Sequence, residues 1–290
     1  MQLLNIYGLR NDGRKPEELR KIRCEIGLNK QANGSAYYQM GNTKILATVY
    51  GPHQIFSKQP ISNESVIINC QISCASFSNN SKPKKGKSNQ SHFEITQILQ
   101  KSLESVIMVH LLPKCQIDIF IEILQMDGSV LSSCVNASTL ALADAGIPMS
   151  HMLVSCTLGI SCASNISTGQ QKFQCSLEIP EHYTENMEGN IFLIDLNGSE
   201  DSGMVSGNVR NNNNLPGMCL IAKVKQSSET DSTNTLSCEL VALEIYHRIP
   251  FQVIEAAQES ANLACQKIYT LLNESCKYNY VVNYPEKFAT

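Results

Sequence analysis

The sequence predicts an α/β fold, of the α+β kind, with two layers of mixed sheet and helices packed between them. Three observations carry this. Residues 116–124 alternate cleanly, with Ile117, Ile119, Ile121 and Ile123 pointing one way and Asp118 and Glu122 the other, which is a strand with one buried face. Residues 250–276 place Phe251, Ile254, Ala257, Ala261, Cys265, Ile268 and Leu272 on one side at helical spacing. The order along the chain is strands, helix, strand, helix, strands and a final helix, which is the pattern of layered α/β domains.

Residues 10–14, Arg-Asn-Asp-Gly-Arg, read as a polar turn. Asn33-Gly34-Ser35 is a hairpin signal between two extended segments. Residues 35–39 and 44–50 read as strands, with Gly41-Asn42 turning between them, and 66–77 is a further β-rich run. Residues 78–91 change character: Ser-Asn-Asn-Ser-Lys-Pro-Lys-Lys-Gly-Lys-Ser-Asn-Gln-Ser is a basic, polar loop with no apolar residue to anchor it. It carries Lys82, Lys84, Lys85 and Lys87, with no acid between Glu64 and Glu94.

Residues 94–110 show Ile95, Ile98, Leu99, Ser102, Val106 and Ile107 on one helical face. Asp127-Gly128-Ser129 turns the chain into 132–145, whose Ala, Ser and Leu content reads as a closely packed helix. Gly146 suits its C-cap and Pro148 stops it. A strand follows at 154–162, then a polar insertion at 164–189, then a short apolar strand at 190–196 that delivers Asp195 at its end. A polar loop at 208–214 precedes strands at 219–224 and 236–245, which Ser-, Thr- and Asp-rich residues join. Each half thus carries a strand run closed by a helix, compatible with an internal duplication that the two divergent halves do not themselves establish. One domain over residues 6–275 and a C-terminal tail at 276–290 account for the chain.

Composition narrows the function. With 42% hydrophobic and 17% charged residues, the 290-residue chain can bury a sizeable core. Its net charge of -3 means that nucleic-acid binding must come from a local basic patch. The N-terminus lacks a basic region followed by a long apolar run, and no stretch approaches 18 apolar residues, so neither a signal peptide nor a membrane span is expected. On that reading the 12 cysteines stay reduced and serve as small core residues. Cys70 and Cys74 have no matching His pair, so no zinc is expected. Asn136, a nominal glycosylation acceptor, lies in a run that reads as buried helix.

Several blocks occur in an order that resembles one family. They are Gly8-Leu9-Arg10-Asn11-Asp12-Gly13-Arg14 with Glu18-Leu19-Arg20, Gly34-Ser35-Ala36-Tyr37, and Met40-Gly41-Asn42-Thr43-Lys44. Val49-Tyr50-Gly51-Pro52-His53, Leu124-Gln125-Met126-Asp127-Gly128, and the run from Val135-Asn136-Ala137 to Ala145-Gly146-Ile147-Pro148-Met149 complete the set. Together they are similar to the RNase PH-type subunits of the eukaryotic RNA exosome, over roughly residues 6–275. They resemble most the branch whose archaeal members are the phosphorolytic subunits. The resemblance implies an RNase PH fold, which is ribosomal protein S5 domain 2-like with duplicated βαβα-type halves. It also implies a hexameric ring of RNase PH-type subunits, S1/KH cap subunits, an associated hydrolytic nuclease and single-stranded RNA as partners. Nucleus, nucleolus and cytoplasm are the compartments it implies, in rRNA processing and mRNA turnover.

Phosphorolysis has three needs: an arginine and backbone N–H groups to hold inorganic phosphate, further arginines for the RNA backbone, and carboxylates to supply an acid or hold Mg2+. Asp195 and Asp201 match the family's acidic pair by their six-residue spacing. On spacing alone they read as a turn cap and a solvated loop acid. The phosphate-binding arginine has no counterpart: the stretch is Ser129-Val130-Leu131, and an apolar side chain cannot replace a bidentate guanidinium. No arginine lies between Arg23 and Arg210, so a shifted alignment does not supply one. The arginine pair that active members carry before the helix is replaced by Gln90 and Ser91, followed by His92, which either touches RNA or is simply solvated.

The expectation is therefore a structural ring subunit with vestigial Asp195 and Asp201, RNA contacts from Lys82, Lys84, Lys85, Lys87 and His92, and no resident cofactor or metal. The competing readings are an active phosphorolytic 3′–5′ exoribonuclease, which would use Mg2+ and phosphate, and a free-standing RNase PH that trims transfer RNA.

Overall fold

A computed structural model describes residues 8–54, 66–78, 87–162, 190–198, 200–201, 217–226, 236–245, 249 and 251–283. Five strands form the first sheet: β1 (Ile22–Ile26), β2 (Gly34–Met40), β3 (Thr43–Gln54), β4 (Ile67–Cys74) and β5 (Cys115–Gln125), in the order β1-β2-β3-β5-β4. Only the β4–β5 pair is parallel. The second sheet is antiparallel: β6 (Met152–Cys162), β7 (Asn190–Ile194), β8 (Gly217–Gln226) and β9 (Leu236–Ile245), in the order β7-β6-β8-β9. Helices α1 (Lys87–Glu104), α2 (Val130–Asp144) and α3 (Phe251–Asn283) complete the described elements of length.

The alternation in β5 works as the pattern requires. Ile117, Ile119, Ile121 and Ile123 are all fully buried, and so are Ile45, Ala47 and Val49 on β3 beside it. This inner face receives α2, which touches β2 and β3 on one side and β6 and β8 on the other. A helix so enclosed must be small and apolar all round. Residues 130–142 of α2 are buried without exception, and its polar members bond inward. Asn136 Nδ2 donates to Ser155 O at 3.1 Å and to the Tyr38 hydroxyl at 3.2 Å, while Ser155 N donates to Asn136 Oδ1 at 2.9 Å. One amide thus fastens the helix to both sheets. Close approach also needs Gly34, where a Cβ would fall 2.3 Å from Ala141 O. The helix α3 lays Ala257, Ala261, Cys265, Ile268 and Leu272 into the second sheet, all buried to 0% exposure. Cys134, Cys156, Cys219 and Cys265 are likewise core residues, and burial pushes the thiols of Cys156 and Cys219 up to about 13 and about 12.

Several boundaries differ from the sequence reading. The helix expected at 94–110 begins at Lys87, so the last residues of the expected loop, and His92, are helical. It ends at Glu104; Val106 and Ile107 are buried without being helical, Ile107 bridging to Met149, and a 3-10 turn follows at Val109–Leu111. The second helix starts at Val130, two residues early. The last helix runs through Cys276 to Asn283 rather than giving way to a tail. The turn before β2 occupies 27–33, with Gly27 at φ 77°, rather than a tight Asn33-Gly34 turn. The expected insertion at 164–189 and loop at 208–214 lie outside the described residues.

Candidate active site and its charge network

The strand β7 ends at Ile194 and hands the chain to Asp195, which adopts φ 56° and donates its N–H to Thr157 O on β6. A non-glycine residue in the left-handed region is strained unless its surroundings fix it. Here they do. Asp195 is fully buried, and its Oδ2 accepts Arg20 N at 2.9 Å and Arg20 Nε at 2.8 Å while its Oδ1 accepts Arg20 Nη2 at 2.6 Å. Arg20 Nη1 donates to Asp127 O at 2.6 Å, joining the β5–α2 turn to the same knot. Burial alone would lower the Arg20 pKa, but the hydrogen bonds and charge of Asp195 hold it above the usual value.

A second buried pair sits beside the first. Arg10 Nη2 meets Glu200 Oε2 at 2.5 Å, and its Nε meets Oε1 at 3.1 Å. The same guanidinium donates to the carbonyls of Ile194 and Asp195. Arg14 spans the rim, bonding Asp12 Oδ2 at 2.6 Å and Asn197 Oδ1 at 3.0 Å, with its Nη1 3.5 Å from Asp195 Oδ2. Desolvation works against it, yet hydrogen bonds from Asn197 and Arg14 hold the Asp12 carboxyl down to about 2. Three arginines of the N-terminal segment are thus committed to holding the 194–201 turn in place.

Asp201 closes the site from the other side. It is 6% exposed, and its Oδ2 accepts Ser129 N at 2.9 Å. Ser129 is the N-cap of α2, at φ 54°, but its hydroxyl makes no capping bond. Instead it donates to Leu196 O at 3.0 Å and shares a short hydrogen bond with Thr157 Oγ1. The Asp201 carboxylate therefore faces the positive end of the α2 dipole. Burial raises its pKa to about 6, with the Ser129 N–H and Arg20 opposing the rise and Asp195 and Glu200 adding to it. The two loops meet closely: a Cβ at Gly128 would lie 2.4 Å from Leu196 O.

The structure brings Asp195, Asp201 and Ser129 together and places Val130 and Leu131 in the core, at 7% and 5% exposure. Leu131 does not face an anion-binding space. Lys82, Lys84 and Lys85 lie outside the described residues, and of Lys87 and His92 only the helical backbone is described. The reading of the sequence missed the roles of Arg10, Arg14, Arg20, Asp127 and Glu200. Arg10, Arg14 and Arg20 stood in quoted motifs, and Glu200 adjoins Asp201; nothing local marked them as ion-pair partners of residues up to 190 positions away.

This donor set does not fit Mg2+ with phosphate. A magnesium ion needs near-octahedral oxygen ligands, but Asp195 offers both oxygens to Arg20 and Asp201 Oδ2 holds Ser129 N–H. Among the described residues no group of three or more His, Cys, Asp and Glu side chains is arranged to hold a metal. A phosphate at the start of α2 would meet a carboxylate where it needs a guanidinium.

Comparison with known proteins places these features. Residues 18–148 match the 3′ exoribonuclease family, domain 1, known as RNase PH. Over 160 residues, 55% of this chain, the sequence is 44% identical to the Exosome complex component RRP41 homolog of Arabidopsis thaliana and 42% identical to human Exosome complex component RRP41. The matches cover 66% and 65% of those proteins, just under two thirds of their length. The Exosome complex component Rrp41 of Methanosarcina mazei is 40% identical over 159 residues, covering 32% of that protein. Among solved structures, rice Rrp46 superposes with a TM-score of 0.66 at 20% identity, covering 92% of this chain and all of the rice chain. That likeness shows the fold, which is the RNase PH fold.

Proposed function

Because residues 18–148 are a domain of the RNase PH family, we propose that the chain is an RRP41-type ring subunit of an RNA exosome core that shapes the RNA channel and does not itself cleave RNA. The names of the Arabidopsis and human relatives support the exosome assignment. Other RNase PH-type subunits in a six-membered ring, S1/KH cap subunits, a hydrolytic nuclease and single-stranded RNA are the partners this role requires. Nucleus, nucleolus and cytoplasm are the compartments where it would work.

The observation that carries the non-catalytic reading is the occupation of the old phosphate position. Leu131 is packed in the core and the Asp201 carboxylate takes the Ser129 N–H. Each charged hydrogen bond that phosphate would need there is worth roughly 1.5–3 kcal/mol even before transition-state effects, and an opposing carboxylate adds repulsion. A second reading, a phosphorolytic 3′–5′ exoribonuclease, is favoured by one feature: Asp201, with a pKa near 6 at the start of α2, could exchange a proton near neutral pH.

Affinity purification of the tagged full chain under native conditions, with mass spectrometry and crosslinking, tests the assembly. Other RNase PH-type chains crosslinked on both sides of this one are expected. A monodisperse monomer with no such chains copurifying would contradict the ring reading.

A further inference from the structure

The outer face of the first sheet carries a groove of about 430 Å³ lined by side chains of β3, β4 and β5, with Asn29 of the turn before β2 at one end. The register fixes its floor. Phe120 lies between Thr48 on β3 and Gln71 on β4, and one outward step along, Glu122 lies between Leu46 and Ser73. Tyr50 meets Phe120 edge to face, with ring centroids 5.7 Å apart and planes at 74°. All these residues point away from the core because their neighbours Ala47, Val49, Ile119 and Ile121 point into it.

We propose that this groove seats a guanidinium side chain delivered by a protein partner, with Glu122 as its counter-ion and Phe120 and Tyr50 as its aromatic wall. Glu122 is the only acid that lines the groove, no Lys, Arg or His lines it, and Glu122 makes no ion pair among the described residues. Lys44, one outward step along β3 from Leu46, lies opposite Gln125 and outside the lining. The remaining polar groups, Thr48, Ser73, Asn29 and Gln71, offer acceptors to a planar donor. A carboxylate beside aromatic faces suits a guanidinium, which stacks and pairs at once. The volume suits one side chain rather than a helix. RNA is disfavoured, because its phosphates would meet Glu122 and, on the next outward position of β5, Asp118. The inference does not rest on the ring reading.

The chain has no tryptophan, so Phe120→Trp in the full-length chain makes a single reporter on the groove wall. Titration with the blocked peptide acetyl-Gly-Arg-Gly-amide is expected to change its emission saturably. The citrulline peptide, equal in shape but uncharged, should bind at least about tenfold more weakly, and Glu122→Gln should weaken the arginine peptide by about as much. Oligouridine should produce no saturable change. Absence of a saturable response to arginine, equal responses to arginine and citrulline, or insensitivity to Glu122→Gln overturns the proposal. Saturation by oligouridine in place of the arginine peptide overturns it in favour of an RNA surface. Gln71→Trp, on the exposed rim, repeats the titration with Phe120 intact, and its outcome decides if Phe120→Trp does not fold.

Discussion

Arg20 and Asp195, 175 residues apart, face each other across the protein interior in a two-point ion pair, Nη2 to Oδ1 at 2.6 Å and Nε to Oδ2 at 2.8 Å. The pair joins the segment before β1 to the end of β7, and so ties the two sheets at their shared corner. In active RNase PH-type enzymes the matching carboxylate belongs to the acidic pair. Here its oxygens are occupied by a cation of the same chain.

Asp195→Asn should therefore act on stability first. Removing one partner of a buried pair leaves the other uncompensated, which costs about 3–5 kcal/mol. Urea unfolding of the full chain measures this directly. A change below about 1 kcal/mol would show that the pair is not structural. By the same argument, loss of any activity in an Asp195 variant would not identify it as a catalytic residue.

Asp201 should give the stability a specific pH dependence. Its folded-state pKa is raised from 3.8 to about 6 by burial, so its contribution is fully present below about pH 4 and is lost as pH rises through 6. Asp201→Asn keeps an acceptor for Ser129 N–H without the charge. The difference in stability between wild type and Asp201→Asn should move toward wild type by on the order of 2–3 kcal/mol from pH 7 to pH 4. A difference that stays flat across that range would mean that Asp201 is not held in the buried environment described.

How far the sequence anticipated this arrangement depends on the range of the interaction. The β5 strand was legible because Ile117 to Ile123 alternate against Asp118 and Glu122, a local pattern. So was the inner face of α3. The strand β1 was not, because Arg23 and Glu25 break a run of only five residues. The start of α1 was missed because Lys87-Ser-Asn-Gln-Ser has no apolar periodicity. Asp195 and Asp201 were found by spacing, and Leu131 by its mismatch with a basic position. Arg10 and Glu200, 190 residues apart, carry no sign of each other in the sequence.

The lysines of the basic loop make a separate prediction about RNA. Lys82, Lys84, Lys85 and Lys87 crowd into six residues without a nearby acid. Flexible ammonium groups can neutralise phosphates without reading bases. Changing all four to glutamine should weaken single-stranded RNA binding by the assembled complex and leave assembly intact. The log–log salt slope should fall by about 0.7 for each lysine that neutralises a phosphate. Unchanged affinity and slope would remove the loop from the RNA path.

The most direct test of the central claim is a phosphorolysis assay. The full chain, alone and within its purified complex, is incubated with single-stranded RNA, magnesium and inorganic phosphate, and nucleoside diphosphate release is followed. With Leu131 in the core and the Asp201 carboxylate on Ser129 N–H, no release above background is expected from the chain alone. Any release from the complex should be unchanged by Asp201→Asn. Phosphate-dependent release of nucleoside diphosphates that disappears with Asp201→Asn, in a variant that still folds and assembles, would show that the site is catalytic and contradict the account.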